Sequence, residues 1–147
     1  MLKLSTRARY GIRMILDLAL NSKDRPVLLR EIAQRQGISQ GYLEQIAPLL
    51  KAAGLIKANR GAHGGYLLAR DPDDITLKEM IGILEGGFSL VDCIEDPGVC
   101  SRLKECMVRE IWEEIGFKIA KILDAVTLEE MLRRYQNKKK QNIIYHI

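Results

Sequence analysis

Gly37-Ile-Ser-Gln-Gly-Tyr-Leu-Glu-Gln45 begins the segment that specifies this fold. Glycine most readily adopts the left-handed turn that ends a helix, and Ser39 is a favourable N-cap for the helix that follows. The pattern therefore predicts a short helix over residues 30–36, a turn at Gly37 and a second helix from Ser39 to Gly54. Two short helices joined by a glycine turn are typical of a helix-turn-helix.

A glycine-rich hairpin follows the second helix. Leu55-Ile-Lys-Ala58 and Tyr66-Leu-Leu-Ala69 predict two strands, and Arg60–Gly65 supplies the glycines of a tight connection between them. Val27–Leu29 predicts one further short strand. Helix, turn, helix and hairpin occur in this order in winged helix-turn-helix proteins. The predicted fold class is therefore mainly α with a small β-hairpin wing, and with a long helix beyond it.

Helical patterns lie on both sides of this unit. A first helix is predicted over residues 5–20, and Thr76 with Glu79 forms the capping box of a further helix. After an aperiodic stretch, apolar residues recur every three or four positions from Cys106 to Val126, which predicts a long amphipathic helix. A last short helix is predicted to end near Tyr135.

These patterns divide the chain into four predicted regions. The winged helix-turn-helix domain occupies residues 1–86, and a cysteine-bearing loop occupies residues 87–106. The long helix and the short final helix occupy residues 107–135. Residues 136–147 continue no core pattern and are predicted to be a flexible tail.

Charge is distributed unevenly along the chain. The net charge is +4, but residues 1–70 contain 12 Lys or Arg and 4 Asp or Glu, whereas residues 71–147 contain 11 and 15. The net of +8 on the helix-turn-helix half favours a nucleic-acid partner for that half. No apolar run is long enough to cross a bilayer, and the charged N-terminus is unlike a signal peptide. We therefore expect a cytoplasmic protein.

The second helix of a helix-turn-helix enters the major groove of duplex DNA with its first turn, where Gln can pair with adenine and Glu can accept from the cytosine amino group. Basic side chains nearby contact phosphates, and the wing tip is expected in the adjacent minor groove. A protein-interaction module acting through the long helix, without DNA, is the alternative. The predicted DNA-binding residues are Arg7, Arg9, Ser39, Gln40, Tyr42, Glu44, Gln45, Lys51, Arg60, His63 and Gly64.

Cys93, Cys100 and Cys106 lie within 14 positions, in and beside the aperiodic stretch. Thiolates at such spacing can bind iron or zinc, which would explain a loop of this length, and unliganded redox thiols are the alternative.

We predict no enzymatic activity. A strand pattern, not a helix, follows Gly61–Gly65, so this segment is not a phosphate loop. The chain has two histidines, neither of them in a pattern typical of catalysis.

The chain resembles the Rrf2 family of bacterial winged helix-turn-helix transcription regulators over about residues 1–135. The resemblance rests on the three cysteines and on Leu4–Tyr10, Gly37–Gln45, Arg60–Tyr66 and Ile75–Leu77. It implies a homodimer built on the long helix, with two recognition helices that bind a pseudo-palindromic operator. The expected regulatory sense is repression, with activation left open.

The resemblance also implies an iron-sulfur cluster held by Cys93, Cys100 and Cys106, through which operator affinity would respond to iron-sulfur status, redox state or nitric oxide. A 2Fe-2S cluster is the first expectation, and 4Fe-4S is the alternative. Cluster-bearing relatives have a histidine ligand three residues after the last cysteine, where this chain has Arg109, a poor ligand because it stays protonated. Glu105, Glu110 or a partner-subunit group are the alternatives for the fourth ligand. The same fold with a zinc site or a thiol switch remains the other functional hypothesis.

Overall fold

Seven helices and one two-stranded antiparallel sheet make up the computed structural model, which describes residues 3–145. This confirms the predicted mainly α class with a hairpin wing. Within the described range, no helix is long and apolar enough to span a membrane. The elements are α1 (Thr6–Asn21), α2 (Leu29–Gln36), α3 (Gln40–Ala52), β1 (Ile56–Asn59), β2 (Gly65–Leu68), α4 (Leu77–Glu85), α5 (Asp92–Glu95), α6 (Met107–Asp124) and α7 (Leu128–Tyr145).

The helix-turn-helix forms as its caps predict. Gly37 ends α2 with a φ of 63°, in the left-handed region, and the Ser39 hydroxyl accepts a hydrogen bond from the amide of Tyr42 at 3.2 Å. Ile32, on α2, and Leu43, on α3, are completely buried, which fixes the two helices against one another.

Helix α1 packs against α2, α3, α4, α7 and β2, so it is the centre of the domain. Its Asp17 is buried, with 1% of its surface exposed. Asp17 accepts hydrogen bonds from Arg35 at 2.6 and 3.0 Å and from the side-chain amide of Gln36 at 2.9 Å. A buried carboxylate is stable only when it is paired in this way. The bonds with Asp17 in turn raise the pKa of Arg35.

The wing is joined to the body by a third extended residue. In the hairpin, Ile56 pairs with Leu68 and Asn59 with Gly65. Val27 pairs with Tyr66 through hydrogen bonds of 2.8 and 2.9 Å. The predicted strand over Val27–Leu29 is thus wrong except for one bridge at Val27, because Leu29 already begins α2.

Two predictions about the second half of the chain need correction. The stretch between residues 88 and 105 has no sequence periodicity, yet it contains α5 and a 3₁₀ turn over Pro97–Val99. The last helix does not end near Tyr135 but continues to Tyr145. No glycine or proline interrupts residues 128–145, and Lys and Gln are good helix formers, so the helix continues without tertiary contacts. Residues 136–145, which begin the predicted flexible tail, are exposed throughout.

The core of the N-terminal domain includes the beginning of α7. Leu128 is fully buried and Leu132 nearly so, within the same cluster as the core of α1 and α3. The amide of Leu77 donates to the carbonyl of Val126, and the amide of Leu128 donates to the carbonyl of Ile75, both at 2.8 Å. The hydrophobic core therefore extends past the predicted domain boundary at residue 86. In contrast, α6 has no fully buried residue.

Gly65 is required where the wing meets Val27. Its φ is 144°, and an added Cβ would lie 2.7 Å from the carbonyl oxygen of Val27. We expect Gly65→Ala to lower the free energy of unfolding by about 2 kcal/mol, because both the backbone angle and the space are unsuitable for a side chain. Gly41→Ala is the matched control, since a Cβ there meets nothing within 4 Å and alanine favours helix. Urea denaturation would measure the free energy of unfolding of both variants. Equal effects of the two substitutions would contradict the requirement for glycine at position 65.

Candidate nucleic-acid interface and cysteine segment

The first turn of α3 presents a polar, solvent-exposed surface. Ser39, Gln40, Glu44 and Gln45 are exposed, as a base-contacting surface requires. Tyr42 differs from them because it is partly buried, and its ring packs edge-on against Tyr10 at a centroid distance of 5.5 Å. The structure thus places Tyr42 as a contact between α3 and α1, a role that the sequence did not indicate.

Gln40 and Glu44 are joined to each other. The Nε2 of Gln40 donates a hydrogen bond to the Oε1 of Glu44 at 3.1 Å, between side chains one helical turn apart. Within residues 3–145, Glu44 forms no ion pair with a basic side chain. This carboxylate therefore keeps its negative charge uncompensated on the most basic part of the chain.

The predicted phosphate-binding residues lie in different surroundings. The Nε of Arg7 donates to the carbonyl of Leu84 at 2.6 Å, so this side chain also ties α1 to the end of α4. The guanidinium of Arg9 lies 6.0 Å from the ring centroid of Tyr10. Lys51 and Arg60 are exposed, and neither forms an ion pair with another described residue.

The wing tip is a tight turn with outward side chains. Gly61 has a φ of 107°, and a Cβ on Gly64 would lie 2.7 Å from the carbonyl oxygen of Asn59. The turn therefore requires both glycines, while Arg60 and His63 are exposed at its edge. The predicted minor-groove residues are thus together at one end of the hairpin.

The three cysteines lie on one segment but do not form a metal site in this arrangement. Cys93 is in α5, Cys100 follows the 3₁₀ turn, and Cys106 caps α6; all three are free thiols and partly buried. Among the residues described, no three Cys, His, Asp or Glu side chains are close enough to hold a metal ion. The donor chemistry fits, since three thiols suit iron or zinc, but the segment would have to close to bring them together.

Arg109 occupies the position next to Cys106 where a fourth ligand is missing. Its Nη2 pairs with Glu113 at 2.9 Å, and its buried Nε has no hydrogen-bond partner in the described part of the chain. A permanently charged donor cannot serve as a metal ligand. Arg109 therefore cannot complete a set of four ligands with the three thiols.

Gly86 and Gly87 connect the DNA-binding unit to the cysteine segment. Their φ angles are 81° and 149°, and a Cβ on Gly87 would lie 2.7 Å from a carboxylate oxygen of Glu95 in α5. Immediately before them, Glu85 accepts a hydrogen bond from the amide of Ser5 at 2.8 Å. The cysteine segment is thereby linked to the N-terminus of α1 within a few residues.

Sequence reasoning missed Asp17 and Glu85. Asp17 is an acid within the apolar surface of α1, and such an exception to the pattern is itself a sign of a buried partner. Glu85 gives no comparable sign, because its partner, the amide of Ser5, lies 80 positions away.

Six large apolar side chains of α6 are exposed, although two of them, Trp112 and Phe117, also line a pocket with Phe88 and Leu90. The side chains involved are at least one-third exposed, and large apolar side chains of this kind mark contact surfaces when they are contiguous. They are Met107, Val108, Ile111, Trp112, Phe117 and Ile122.

Comparison with known proteins identifies the family to which the chain is similar. Residues 4–134 match the family model of Rrf2, an iron-dependent transcriptional regulator. The chain is 42% identical to the protein rrf2 of Nitratidesulfovibrio vulgaris over 132 residues, which cover 90% of this chain and 88% of that protein.

Two solved structures are also similar. CymR, the global cysteine regulator of B. subtilis, gives a TM-score of 0.74 at 40% identity, covering 91% of this chain and 98% of that one. IscR from T. potens gives the same TM-score and identity, and the match covers 91% of this chain and 88% of that one. These similarities confirm the winged helix-turn-helix fold.

Glu31 stabilises the start of α2 and provides a test by pH. Its carboxylate accepts from Arg25 at 2.7 Å and from the amide of Leu28 at 2.8 Å, which lowers its pKa from 4.5 to about 2. Because the folded pKa is lowered, the stabilisation is complete above pH 4.5 and is lost as the pH falls towards 2.

We expect Glu31→Gln to cost about 1 kcal/mol of unfolding free energy at pH 7, mostly through the helix start because Arg25 is exposed. The difference from the unsubstituted protein should shrink between pH 4.5 and pH 3 in urea titrations. Glu129→Gln, at an exposed acid of α7, is the control. A difference that does not change with pH would contradict the role of the carboxylate.

Proposed function

The chain belongs to the Rrf2 family of transcriptional regulators, and on that premise we propose that it binds an operator in duplex DNA as a homodimer, under the control of its cysteine segment. Membership confirms the prediction that the chain is a transcription regulator and not an enzyme. The observation that carries the proposal is the exposed polar first turn of α3 beside a glycine-built wing, on the half of the chain with a net charge of +8.

The proposed interface assigns a separate role to each part. The first turn of α3 reads base edges in the major groove, and the wing tip with Arg60 and His63 lies in the adjacent minor groove. Lys51 and the free nitrogens of Arg7 and Arg9 contact phosphates, which position the protein without reading sequence. Regulation of transcription by such contacts takes place in the cytoplasm of a bacterium, with repression as the proposed sense.

We assign the apolar surface of α6 to a second copy of the chain. Its exposed Met107 and Trp112 are the types of side chain that are enriched in the core of interfaces. A two-fold axis beside α6 would present two α3 helices to half-sites of a pseudo-palindromic operator. The arrangement keeps the division into a winged helix-turn-helix domain of residues 1–86, a loop of 87–106 and a dimer helix from 107, with Leu128 and Leu132 added to the core of the first domain.

The cysteine segment is proposed to be the sensor. Cys93, Cys100 and Cys106 would hold an iron-sulfur cluster, with 2Fe-2S as the first candidate and 4Fe-4S as the alternative. When bound, the cluster would supply sensitivity to redox state and nitric oxide. Holding it requires the segment to close, with the fourth ligand from Glu105, Glu110 or the partner subunit. The description of the family as iron-dependent supports the cluster. A thiol switch or a zinc site, which three thiols would also allow, is the second candidate.

The connection at Gly86 and Gly87 would carry the state of the sensor to DNA. Closure of the segment would move Glu95, whose carboxylate lies beside Gly87, and the end of α4 holds the N-terminus of α1 through Glu85 and Arg7. A difference of about 2.7 kcal/mol between two dimer arrangements changes affinity about a hundredfold.

We expect salt-dependent binding to duplex DNA selected from a random pool. Because phosphate contacts release counterions, log K should fall linearly with log salt, and Lys51→Ala and Arg60→Ala should each reduce the slope by about one. Lys138→Ala, which removes an exposed charge from the distal part of α7, is the matched control and should leave the slope unchanged. Absence of binding by the full-length protein would refute the proposed function.

A second test addresses the cofactor. Protein purified without oxygen should contain iron and acid-labile sulfide and should absorb visible light. Replacing Cys93, Cys100 or Cys106 by Ser should remove the iron, the sulfide and the absorption. Ser101→Ala, in the same segment, should keep them. Zinc in place of iron, or metal-free protein that forms a disulfide on oxidation, would refute the cluster and leave DNA binding intact.

A further inference from the structure

Glu44 is the one acid on α3 that faces away from the core, and its hydrogen-bond partner is a neutral amide. The other acids on the helices of residues 1–70 are paired with arginine: Asp17 with Arg35, and Glu31 with Arg25. Glu44 is held by Gln40 alone among the described residues, at 3.1 Å. A carboxylate on this surface is repelled by DNA phosphates, so a favourable contribution to binding requires a hydrogen-bond donor on a base.

The pair has a defined set of remaining hydrogen-bond groups. Gln40 donates one N–H to Glu44 and keeps its second N–H and its carbonyl oxygen. Glu44 keeps its second oxygen, which can only accept. Cytosine N4 offers the donor that such an oxygen requires, whereas guanine and thymine present acceptor oxygens that a carboxylate repels. The free amide edge of Gln40 matches the N6 and N7 of adenine.

We propose that Gln40 and Glu44 act as one base-reading unit, in which Gln40 determines specificity at two neighbouring base pairs. Gln40 contacts adenine directly, and it also fixes the carboxylate of Glu44 for the cytosine beside it. The proposal rests on the DNA-binding function proposed above. It assigns Gln40 an effect at a base that Gln40 does not touch.

The fixed carboxylate explains why the two residues would not act separately. A free glutamate loses rotamer freedom when it is held at one base. The hydrogen bond from Gln40 restrains Glu44 before DNA arrives, so less of this freedom is lost on binding. If the pair only supported the helix, its loss would slightly lower helix stability and leave base preference unchanged.

The test measures base preference, not overall affinity. After the preferred site of the unsubstituted protein is selected from random duplexes, Kd is measured for every single-base substitution in one half-site. Four proteins are compared at one salt concentration: the unsubstituted protein, Gln40→Ala, Glu44→Gln and the double variant. Lys51→Ala is added as a phosphate-contact control, expected to weaken all sites by a similar factor.

We expect Glu44→Gln to reduce discrimination at one cytosine-containing base pair by about tenfold or more. Gln40→Ala should reduce discrimination at that same pair by about three- to tenfold, as well as at its neighbour. In the double variant, loss of Gln40 should add nothing further at the cytosine, because the two residues form one unit.

Two results would overturn the inference while leaving the proposed function intact: Gln40→Ala without effect at the base pair read by Glu44, or additive effects of the two substitutions there. Circular dichroism and thermal unfolding confirm that each variant is folded. If the unsubstituted protein shows no preference among duplexes, the proposed operator recognition fails together with the inference.

Discussion

Asp17 fixes the direction in which the recognition helix leaves the domain. Its buried carboxylate holds Arg35 and Gln36 at the end of α2, one residue before the left-handed turn at Gly37. The turn to Ser39 is too short to absorb a change in α2, so α3 follows the orientation of α2. A charge that is almost fully buried tolerates little movement of its partners, because each lost hydrogen bond leaves it unsatisfied. The same α1 meets α3 again through Tyr10 and Tyr42.

Local features of the fold could be predicted from the sequence, and long-range contacts could not. The turn at Gly37, the caps at Ser39 and Thr76 and the hairpin follow from backbone preferences within a few residues. The bridge between Val27 and the wing depends on a contact across 39 positions, and periodicity gives no information about it. The helical residues 136–145 were missed for a different reason: without a buried face they lack an amphipathic pattern, although their helix propensity is high.

In the candidate site, too, local features could be predicted from the sequence and contacts between distant side chains could not. The exposure of Gln40 and Glu44 follows from their places on an amphipathic α3, whereas the hydrogen bond between them depends on rotamers. Composition and spacing indicate the cysteine segment but not its conformation, which a ligand or a second subunit would help to determine. Arg7 was predicted to contact phosphate only, because nothing local reveals its hydrogen bond to the carbonyl of Leu84.

The bridge between Thr76 and Thr127 closes residues 77–126 into a loop with both ends at one place on the domain. The cysteine segment and α6 lie inside this loop, so neither is an appendage on a free chain end. A rotation of α6 would displace α4 or the beginning of α7. Both of these helices pack on α1. The two ends of this loop therefore meet helices that contact α1, the helix that carries Asp17, so a displacement of either end would act on α1.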